Sequence, residues 1–360
     1  MGRLAQTLGL INSLTPTMTW AVSKYSKGEV ARAGRALVDA KASLDQRMAA
    51  LDIMSSWRAA HAYPMHALLM MLRRKAIDID PKAIVVQRHK RAPSIIDKLA
   101  RFTQMELSRM QDIGGCRAIV ATVRDVERLN THIQQSATRH KLHREYDYVT
   151  EPKDTGYRGI HLTYKYNGEK AEYKDYFVEI QLRSKIQHAW ATAVEIVDTF
   201  TKQALKSNRG SADWLRFFQM AAAEFARLER RAVGNHVAGI DTRGELTRLA
   251  HSLNVIARLE AFAVSATHII EKKDNKTDYF LLELTQDGSE IVITQYKTSE
   301  FDRATQDYLR KEKETKANAA HDVVLVAASS MHALHNAYPN YFADSKEFVK
   351  FIERALAVPK

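Results

Sequence analysis

Two stretches in the middle of the chain alternate between apolar and polar residues with a period of two, which is typical of β-strands. They cover residues 160–166 and 177–183. In the second stretch, Val178, Ile180 and Leu182 are predicted to face a core. The opposite face then carries Phe177, Glu179, Gln181 and Arg183. An acid, an amide and a guanidinium on one face suit a metal, a phosphate or a base better than they suit packing.

Other periodic stretches predict further elements around this pair. Apolar residues recur every three or four positions over residues 16–77, which indicates helices with a break at Pro64. Strands are predicted at 83–87, 118–123 and 142–149. Helices are predicted at 94–102, from a cap at Asp125 to about 136, and at 184–206, 214–233 and 240–271. The pattern predicts an α/β (α+β) protein.

From about residue 275 the pattern changes. Strands at 279–284 and 290–296 are joined at Asp287-Gly288, which is a hairpin signal. A helix at 300–317, a strand at 323–327 and a closing helix at 346–356 follow, so we expect a separate small α/β unit. The predicted division is an N-terminal helical segment 1–77, a central domain 78–235, a connecting helix 236–274 and a C-terminal regulatory domain 275–360.

The charge favours an anionic partner. The 360 residues carry a net charge of +12, and the positive side chains are clustered. A nucleotide, an RNA or an acidic protein would fit, although a basic balance can also serve solubility alone. Cys116 is the only cysteine, which excludes an intramolecular disulfide and a cysteine-rich zinc site. No apolar run approaches the ~20 residues of a membrane span, so we expect a cytoplasmic protein.

A basic block follows the strand predicted at 83–87. The strand end delivers Arg88, Lys90 and Arg91, and the helix opened by Pro93 places Lys98 on the same side one turn later. A strand end, a cation cluster and a helix N-terminus together form a cradle for a triphosphate. A solvated charged face is the alternative, but the position at a strand-to-helix turn favours phosphate.

Two further segments add candidate chemistry. Asp112 precedes a Gly-Gly pair predicted to turn sharply, and Arg117 enters the next strand, which suits a magnesium ligand and a phosphate clamp. An ordinary turn has the same sequence. The loop 152–159 presents Lys153 and Tyr157, and Gly156 and Gly159 on either side leave Tyr157 free to project. Tyr157 could serve as a stacking platform for a base or as a cover for the sheet.

Asp112 and Glu179, near a phosphate cradle, suit magnesium-assisted phosphoryl transfer. The second acid could also accept the proton of an attacking hydroxyl. The patterns of zinc hydrolases, of the Walker lysine loop and of the Rossmann glycine signature are absent.

Four segments over about residues 80–200 resemble the synthetase domain of RelA/SpoT alarmone synthetases. They are Arg88-His89-Lys90 with Ser94-Ile95 and Lys98, then residues 112–117, 156–161 and 178–183. The resemblance implies a mixed five-stranded sheet flanked by helices and ATP as pyrophosphate donor. Arg88, Lys90, Arg91, Lys98 and Arg117 would lie near the ATP phosphates.

The resemblance also assigns roles at the acceptor. Asp112 and Glu179 would hold Mg²⁺, and Glu179 would deprotonate the acceptor's 3′-hydroxyl. Tyr157 would stack on the acceptor base. The acceptor-binding residues would be Lys153, Tyr157, His161, Gln181 and Arg183. About 80 residues precede this domain and contain no His-Asp pair, so we expect a small synthetase without the hydrolase half of the long enzymes.

Tyr338-Pro-Asn-Tyr341 looks like the Tyr-x-x-Tyr element of the CapRel branch, a fused toxin–antitoxin group. That resemblance implies a zinc-free C-terminal domain whose Tyr338 and Tyr341 block the ATP site until a phage capsid protein releases them. The active enzyme would then pyrophosphorylate the 3′-CCA end of tRNA and stop translation, as abortive infection.

Three interpretations follow. The first is this autoinhibited tRNA pyrophosphokinase, without DNA or membrane partners. The second is a (p)ppGpp or (p)ppApp synthetase that acts on free nucleotides. The third is a non-catalytic regulator that binds RNA or nucleotides, against which the intact Asp112 and Glu179 argue.

Overall fold

The computed structural model describes residues 20–201, 211–265, 267–270, 279–285, 290–316, 321–328, 330–342 and 344–357. Within these ranges the chain forms one mixed sheet with helices on both faces. None of the helices there is long and apolar enough to cross a membrane. Parts of several predictions lie outside the described residues, namely the residues before position 20, the ends of the helices predicted at 184–206 and 240–271, and the Asp287-Gly288 hairpin turn.

The described helices are α1 (Lys27–Val38), α2 (Leu44–Ala60), α3 (Ala62–Ile79), α4 (Ala92–Arg101), α5 (Val123–Gln135), α6 (Lys185–Thr201), α7 (Ala212–Leu228), α8 (Thr242–Ser252), α9 (Val255–Ser265), α10 (Phe301–Lys316), α11 (Met331–Ala337) and α12 (Lys346–Ala357). The described strands are β1 (Ile84–His89), β2 (Gly114–Val120), β3 (Lys141–Asp147), β4 (Ile160–Lys165), β5 (Phe177–Ser184), β6 (Thr267–Ile270), β7 (Tyr279–Thr285), β8 (Glu290–Tyr296) and β9 (His321–Ala327).

The first five strands form the expected mixed five-stranded sheet. Their order is β3-β4-β5-β2-β1, with β2 and β5 parallel and the other neighbours antiparallel. Val178, Ile180 and Leu182 of β5 are fully buried beneath α3 and α5, as the alternation predicted. The opposite face of β5 therefore remains available for Glu179 and Gln181.

Within the described residues the C-terminal strands do not form a sheet of their own. In the described part of the chain they extend the same sheet to nine strands, in the order β1-β9-β7-β8-β6 beyond the first half. The junction is short, because β1 and β9 pair only at Gln87–Ala327 and Arg88–Val326. The predicted domain boundaries themselves stay predictions.

Several predicted local elements were also wrong. The single helix expected over 240–271 is α8 followed by α9 and then β6, with Asn254 in the left-handed region (φ 49°) at the break. The cap of α5 is Thr122, whose hydroxyl accepts from the Asp125 N–H, rather than Asp125 itself. The helix break expected at Pro64 lies at His61, because proline is tolerated in a first helical turn.

Aromatic residues connect the C-terminal helices to the rest of the molecule. The Trp20 ring lies 4.6 Å from Phe301 of α10 and 5.3 Å from Tyr63 of α3. Tyr308 of α10 stacks on His89 of β1, with ring centroids 6.2 Å apart. The stacking of Tyr308 on His89 places α10 beside the end of β1, where Arg88 and Lys90 lie on either side of His89.

Gly114 and Gly115 form the start of β2 rather than the predicted turn. The reason for Gly114 is the close approach of α3, since a Cβ there would lie 2.6 Å from Met65 Cγ. We expect Gly114→Ala to lower the free energy of unfolding by about 1–3 kcal/mol through overpacking. Gly115→Ala is the matched control, because its Cβ would have only ordinary contacts. Equal denaturant midpoints for the two variants would contradict this explanation.

Candidate active site

The strand register brings the predicted polar residues onto one face of the sheet. Glu179 of β5 pairs with Gly115 of β2 on one side and with Thr163 of β4 on the other. Gln181 likewise pairs with Arg117 and His161. Side chains of paired residues point to the same face, so a continuous row of polar groups crosses β1, β2, β5 and β4.

Asp112 lies just before β2 and is held by two lysines. Lys90 Nζ and Lys98 Nζ are 3.0 and 2.9 Å from Asp112 Oδ2. The buried Oδ1 has no hydrogen-bond partner among the described residues. A buried carboxylate oxygen without a donor is suited to a cation, so the donor set at Asp112 fits a metal ligand.

Glu179 is the centre of a hydrogen-bonded network. His161 Nδ1 donates to Glu179 Oε1 at 3.0 Å, and Gln181 Nε2 donates to Oε2 at 2.6 Å. His161 Nε2 lies 2.5 Å from the Tyr157 hydroxyl, and Arg183 Nη2 donates to Gln181 Oε1 at 3.1 Å. The network fixes the carboxylate toward the face that Arg117 also shares.

The electrostatics of this network keep Glu179 ionised. Burial alone would raise the pKa of Glu179, but the charge of His161 and the hydrogen bonds from His161 and Gln181 hold it well below its usual range. Burial opposes the charged form of His161 too, yet Tyr157 and Glu179 raise the His161 pKa to about 9. Arg183 and His161 outweigh the burial of Tyr157 and lower its pKa to about 8. An ionised Glu179 can serve as a metal ligand or as a proton acceptor.

Asp112 and Glu179 line the same cavity, which we call the central cavity. Its other lining residues are Arg88, Lys90, Gly115, Cys116, Arg117, Gln181 and Tyr338. Its volume is about 80 Å³, which has room for a few waters and none for a nucleotide. The described residues hold no group of three or more histidines, cysteines or acids that could bind a metal, so a metal here would need ligands from a substrate.

Tyr338 fills one side of the central cavity. Its ring lies beneath two guanidinium groups, 5.4 Å from Arg88 Cζ and 5.2 Å from Arg117 Cζ. Arg117 Nη1 donates to the Ala337 carbonyl at 3.0 Å, and His188 Nε2 donates to the Asn336 carbonyl at 3.0 Å. Two cations expected near phosphates therefore contact the C-terminal segment instead.

The remaining predicted residues lie at different distances from this centre. Arg91 is the N-cap of α4 and does not line the central cavity. Lys153 contacts the Tyr148 ring at 4.4 Å and the Tyr157 ring at 5.3 Å. Tyr157 does not project freely, because His161 binds its hydroxyl and Arg183 lies over its ring at 5.2 Å. Tyr341 belongs to a short 3₁₀ helix at 339–342, and its side chain is outside the described residues.

A row of residues beyond His161, on the same face of the sheet, was not predicted from the sequence. Arg144 and Tyr146 of β3 pair with Thr163 and His161, which places them on the same face as Glu179. We call this surface the β3–β4 strip and define it as Arg144, Tyr146, Tyr148, Lys153 and Lys165. Tyr146 is 41% exposed and stacks on Tyr148 at 5.5 Å. The alternation of positions 144, 146 and 148 was the signal that could have identified them.

The central part of the chain is similar in sequence to known proteins. Residues 87–198 match the family model described as "Region found in RelA / SpoT proteins". The GTP pyrophosphokinase YjbM of Bacillus subtilis is 32% identical over 122 residues, which are 32% of this chain and 56% of that protein. The chain thus spans about half of the length of this curated relative.

Two solved structures are similar to about half of this chain. One is small alarmone synthetase 1 from Bacillus subtilis bound to its product pppGpp, with 22% identity, a TM-score of 0.42, and coverage of 49% of this chain and 94% of that one. The other is a GTP pyrophosphokinase family protein from Streptococcus pneumoniae, with 21% identity, a TM-score of 0.41, and coverage of 54% and 93%. In sequence, residues 87–198 of this chain are similar to the region found in RelA and SpoT proteins.

Proposed function

We propose that the protein is an ATP-dependent pyrophosphokinase. The observation that carries this proposal is the central cavity, where Asp112 and Glu179 meet beside Arg88, Lys90 and Arg117. In the reaction, a 3′-hydroxyl oxygen of the acceptor attacks the β-phosphorus of ATP. The bond from that phosphorus to the bridging α–β oxygen breaks and AMP leaves. The hydroxyl proton passes to Glu179. The likeness of residues 87–198 to RelA and SpoT proteins supports this chemistry.

The cationic and the acidic residues of the site would have different roles. Arg88, Arg117, Lys90 and Lys98 would bind the phosphates of ATP, since guanidinium and ammonium groups pair well with phosphate oxygens. Asp112 and Glu179 would hold Mg²⁺, which neutralises phosphate charge when bound. The unpartnered Asp112 Oδ1 supports this assignment. His161 and Gln181 would keep the Glu179 carboxylate in position.

For the acceptor we propose the 3′-CCA end of tRNA. The β3–β4 strip supports an acceptor longer than one nucleotide, because it extends cations and aromatic rings away from Glu179 toward the sheet edge. Arg144 Cζ lies 5.7 Å from the Tyr146 ring, and Lys153 lies over Tyr148. Stacking platforms beside cations are what single-stranded RNA requires. A free nucleotide, giving (p)ppGpp or (p)ppApp, is the alternative acceptor that the relatives' names favour.

Charge reversal in the β3–β4 strip separates these two acceptors. We expect Arg144→Glu with Lys165→Glu to lower transfer to tRNA at least roughly tenfold at low salt, because RNA loses phosphate contacts. Transfer to GDP or GTP is expected to change by less than about threefold. Arg124→Glu on α5 is the matched control, since this exposed arginine lies on a helix that covers the other face. Equal losses with both acceptors would contradict an RNA acceptor.

We further infer that the C-terminal domain, 275–360, is an autoinhibitory element, released by a phage capsid protein as part of antiviral defence. The position of Tyr338 between Arg88 and Arg117 supports this inference, because the ring occupies space that ATP phosphates would need. Tyr341 remains part of the proposal from its sequence motif.

The experiment that tests the whole proposal follows the label of γ-³²P-ATP. Purified protein is incubated separately with bulk tRNA, GDP and GTP, with and without phage lysate. We expect label on tRNA only when lysate is present. Label on GDP or GTP would favour the nucleotide synthetase, and no transfer to any acceptor under either condition would overturn the enzymatic function.

A further inference from the structure

A second cavity lies on the other side of the sheet, where α3 approaches the loops at 137–140 and 166–169. Its volume is about 370 Å³, which is within the range of small-molecule sites. We call it the rear cavity, and it shares no lining residue with the central cavity. α3 packs against the residues of β2 and β5 that alternate with the polar row, so the sheet separates the two cavities.

A buried cation is the most informative feature of the rear cavity. Lys75 of α3 is only 5% exposed, although its side chain lines the cavity. Its ammonium group hydrogen-bonds to the Ser136 hydroxyl. Among the described residues no carboxylate pairs with it, and Asp78 acts only as a more distant charge. The ammonium group of Lys75 has three donors and one neutral partner, so it retains hydrogen-bond donors for an anion.

The rim of the cavity adds further positive charge. Arg74 and Arg139 supply this charge, and His140, whose pKa burial lowers so that the neutral ring is favoured, also lines the cavity. The one acid of the lining, Glu169, lies 2.8 Å from Arg139, but both side chains are more than 70% exposed, so this ion pair is weak and can open. Burial lowers the pKa of Lys75, and the charge of Arg74 adds to this effect. An anion bound beside Lys75 would offset both the burial of its charge and the repulsion from Arg74.

We propose that the rear cavity binds the phosphoryl group of a small anionic ligand, with Lys75, Arg74 and Arg139 as its partners. The ligand is inorganic phosphate, pyrophosphate or the phosphate chain of a free nucleotide, which share the chemistry that these three cations recognise. Tyr63 and Met71 line the same cavity and give the rest of a ligand an apolar wall. This site does not depend on the reaction assigned to the central cavity.

Binding is measured by equilibrium dialysis of the full-length protein with labelled pyrophosphate, phosphate, AMP and ATP. The measurement is made in an Arg88→Glu background, which weakens binding to the central cavity. We expect binding to persist there and to weaken at least roughly tenfold with Arg74→Glu, Arg139→Glu or Lys75→Met, since each removes a charge-assisted hydrogen bond. Tighter binding of AMP than of phosphate would identify a nucleotide as the ligand, and equal binding would identify the inorganic anion.

Arg73→Glu is the matched control, because Arg73 is an exposed neighbour on α3 that does not line the cavity. The proposal is overturned if Arg88→Glu alone removes all binding, if Arg73→Glu weakens binding as much as Arg74→Glu does, or if RNA binds there while small anions do not. Arg74 and Arg139 are exposed, so their variants keep the test valid even where Lys75→Met is unstable. Transfer activity plays no part in this readout.

Discussion

Glu179→Gln is expected to reduce pyrophosphoryl transfer by about 10³-fold, measured with γ-labelled ATP under conditions in which the wild-type protein is active. Glutamine keeps the size of the side chain but can neither accept the hydroxyl proton nor contribute a carboxylate to a metal. General-base catalysis alone contributes a factor of about 10²–10⁴ to a reaction rate, which sets the size of the expected loss. His161 and Gln181 donate to the two oxygens of Glu179, so the amide nitrogen of glutamine would face one of these donors and the network would lose one hydrogen bond.

The matched control is Glu145→Gln on β3. Glu145 pairs with Leu162, so it lies on the other face of the sheet from Glu179, and it accepts from Asn130 and Gln134. We expect this control to transfer at the wild-type rate and both variants to unfold at similar temperatures. Glu179→Ala is expected to lose transfer as well. Transfer within tenfold of wild type in either Glu179 variant would refute the assignment of Glu179 as base.

Tyr338→Ala is expected to convert an inactive protein into a constitutively active and toxic one. Truncation of a buried aromatic ring costs about 3–5 kcal/mol, and here the contacts with Arg88 and Arg117 exist only while the segment is docked. A loss of about 3 kcal/mol from the closed state raises the open population roughly 100-fold. The measurement is ATP-dependent transfer without phage lysate, together with growth of cells that express the variant.

Tyr338→Phe is the control that distinguishes a steric block from general damage. Phenylalanine keeps the ring beneath the two guanidinium groups, so we expect this variant to remain closed. Tyr338→Ala combined with Tyr341→Ala is expected to be at least as active as Tyr338→Ala alone. If cells with the double variant grow like wild type without phage, the tyrosine pair does not inhibit the enzyme.

The alternation in β5 was sufficient to predict which face of that strand is polar. The burial of Val178, Ile180 and Leu182 follows from the period-two alternation of apolar and polar residues alone. The prediction that Asp112 and Glu179 lie close together followed from the family resemblance. The local pattern of apolar and polar residues does not determine which strands are neighbours in a sheet. The structure places both in one cavity because β2 and β5 are parallel neighbours.

The predictions that failed depended on distant contacts. The Gly-Gly pair looked like a turn, but Gly114 is required by Met65 on a helix far away in sequence. Tyr157 looked free to project because Gly156 and Gly159 lie on either side of it, whereas His161 binds its hydroxyl and Arg183 lies over its ring. The β1–β9 junction joins two strands that are far apart in the sequence, so no local periodicity could have indicated it.

The proposed release of the C-terminal domain would break the short β1–β9 junction. The backbone amides and carbonyls of β1 would then lose their neighbour at Gln87 and Arg88, and β9 would lose its own. Two unpaired strand edges would result on one molecule, each able to pair with a foreign strand or with a second copy of the chain. Release of the C-terminal domain would therefore favour self-association through these edges.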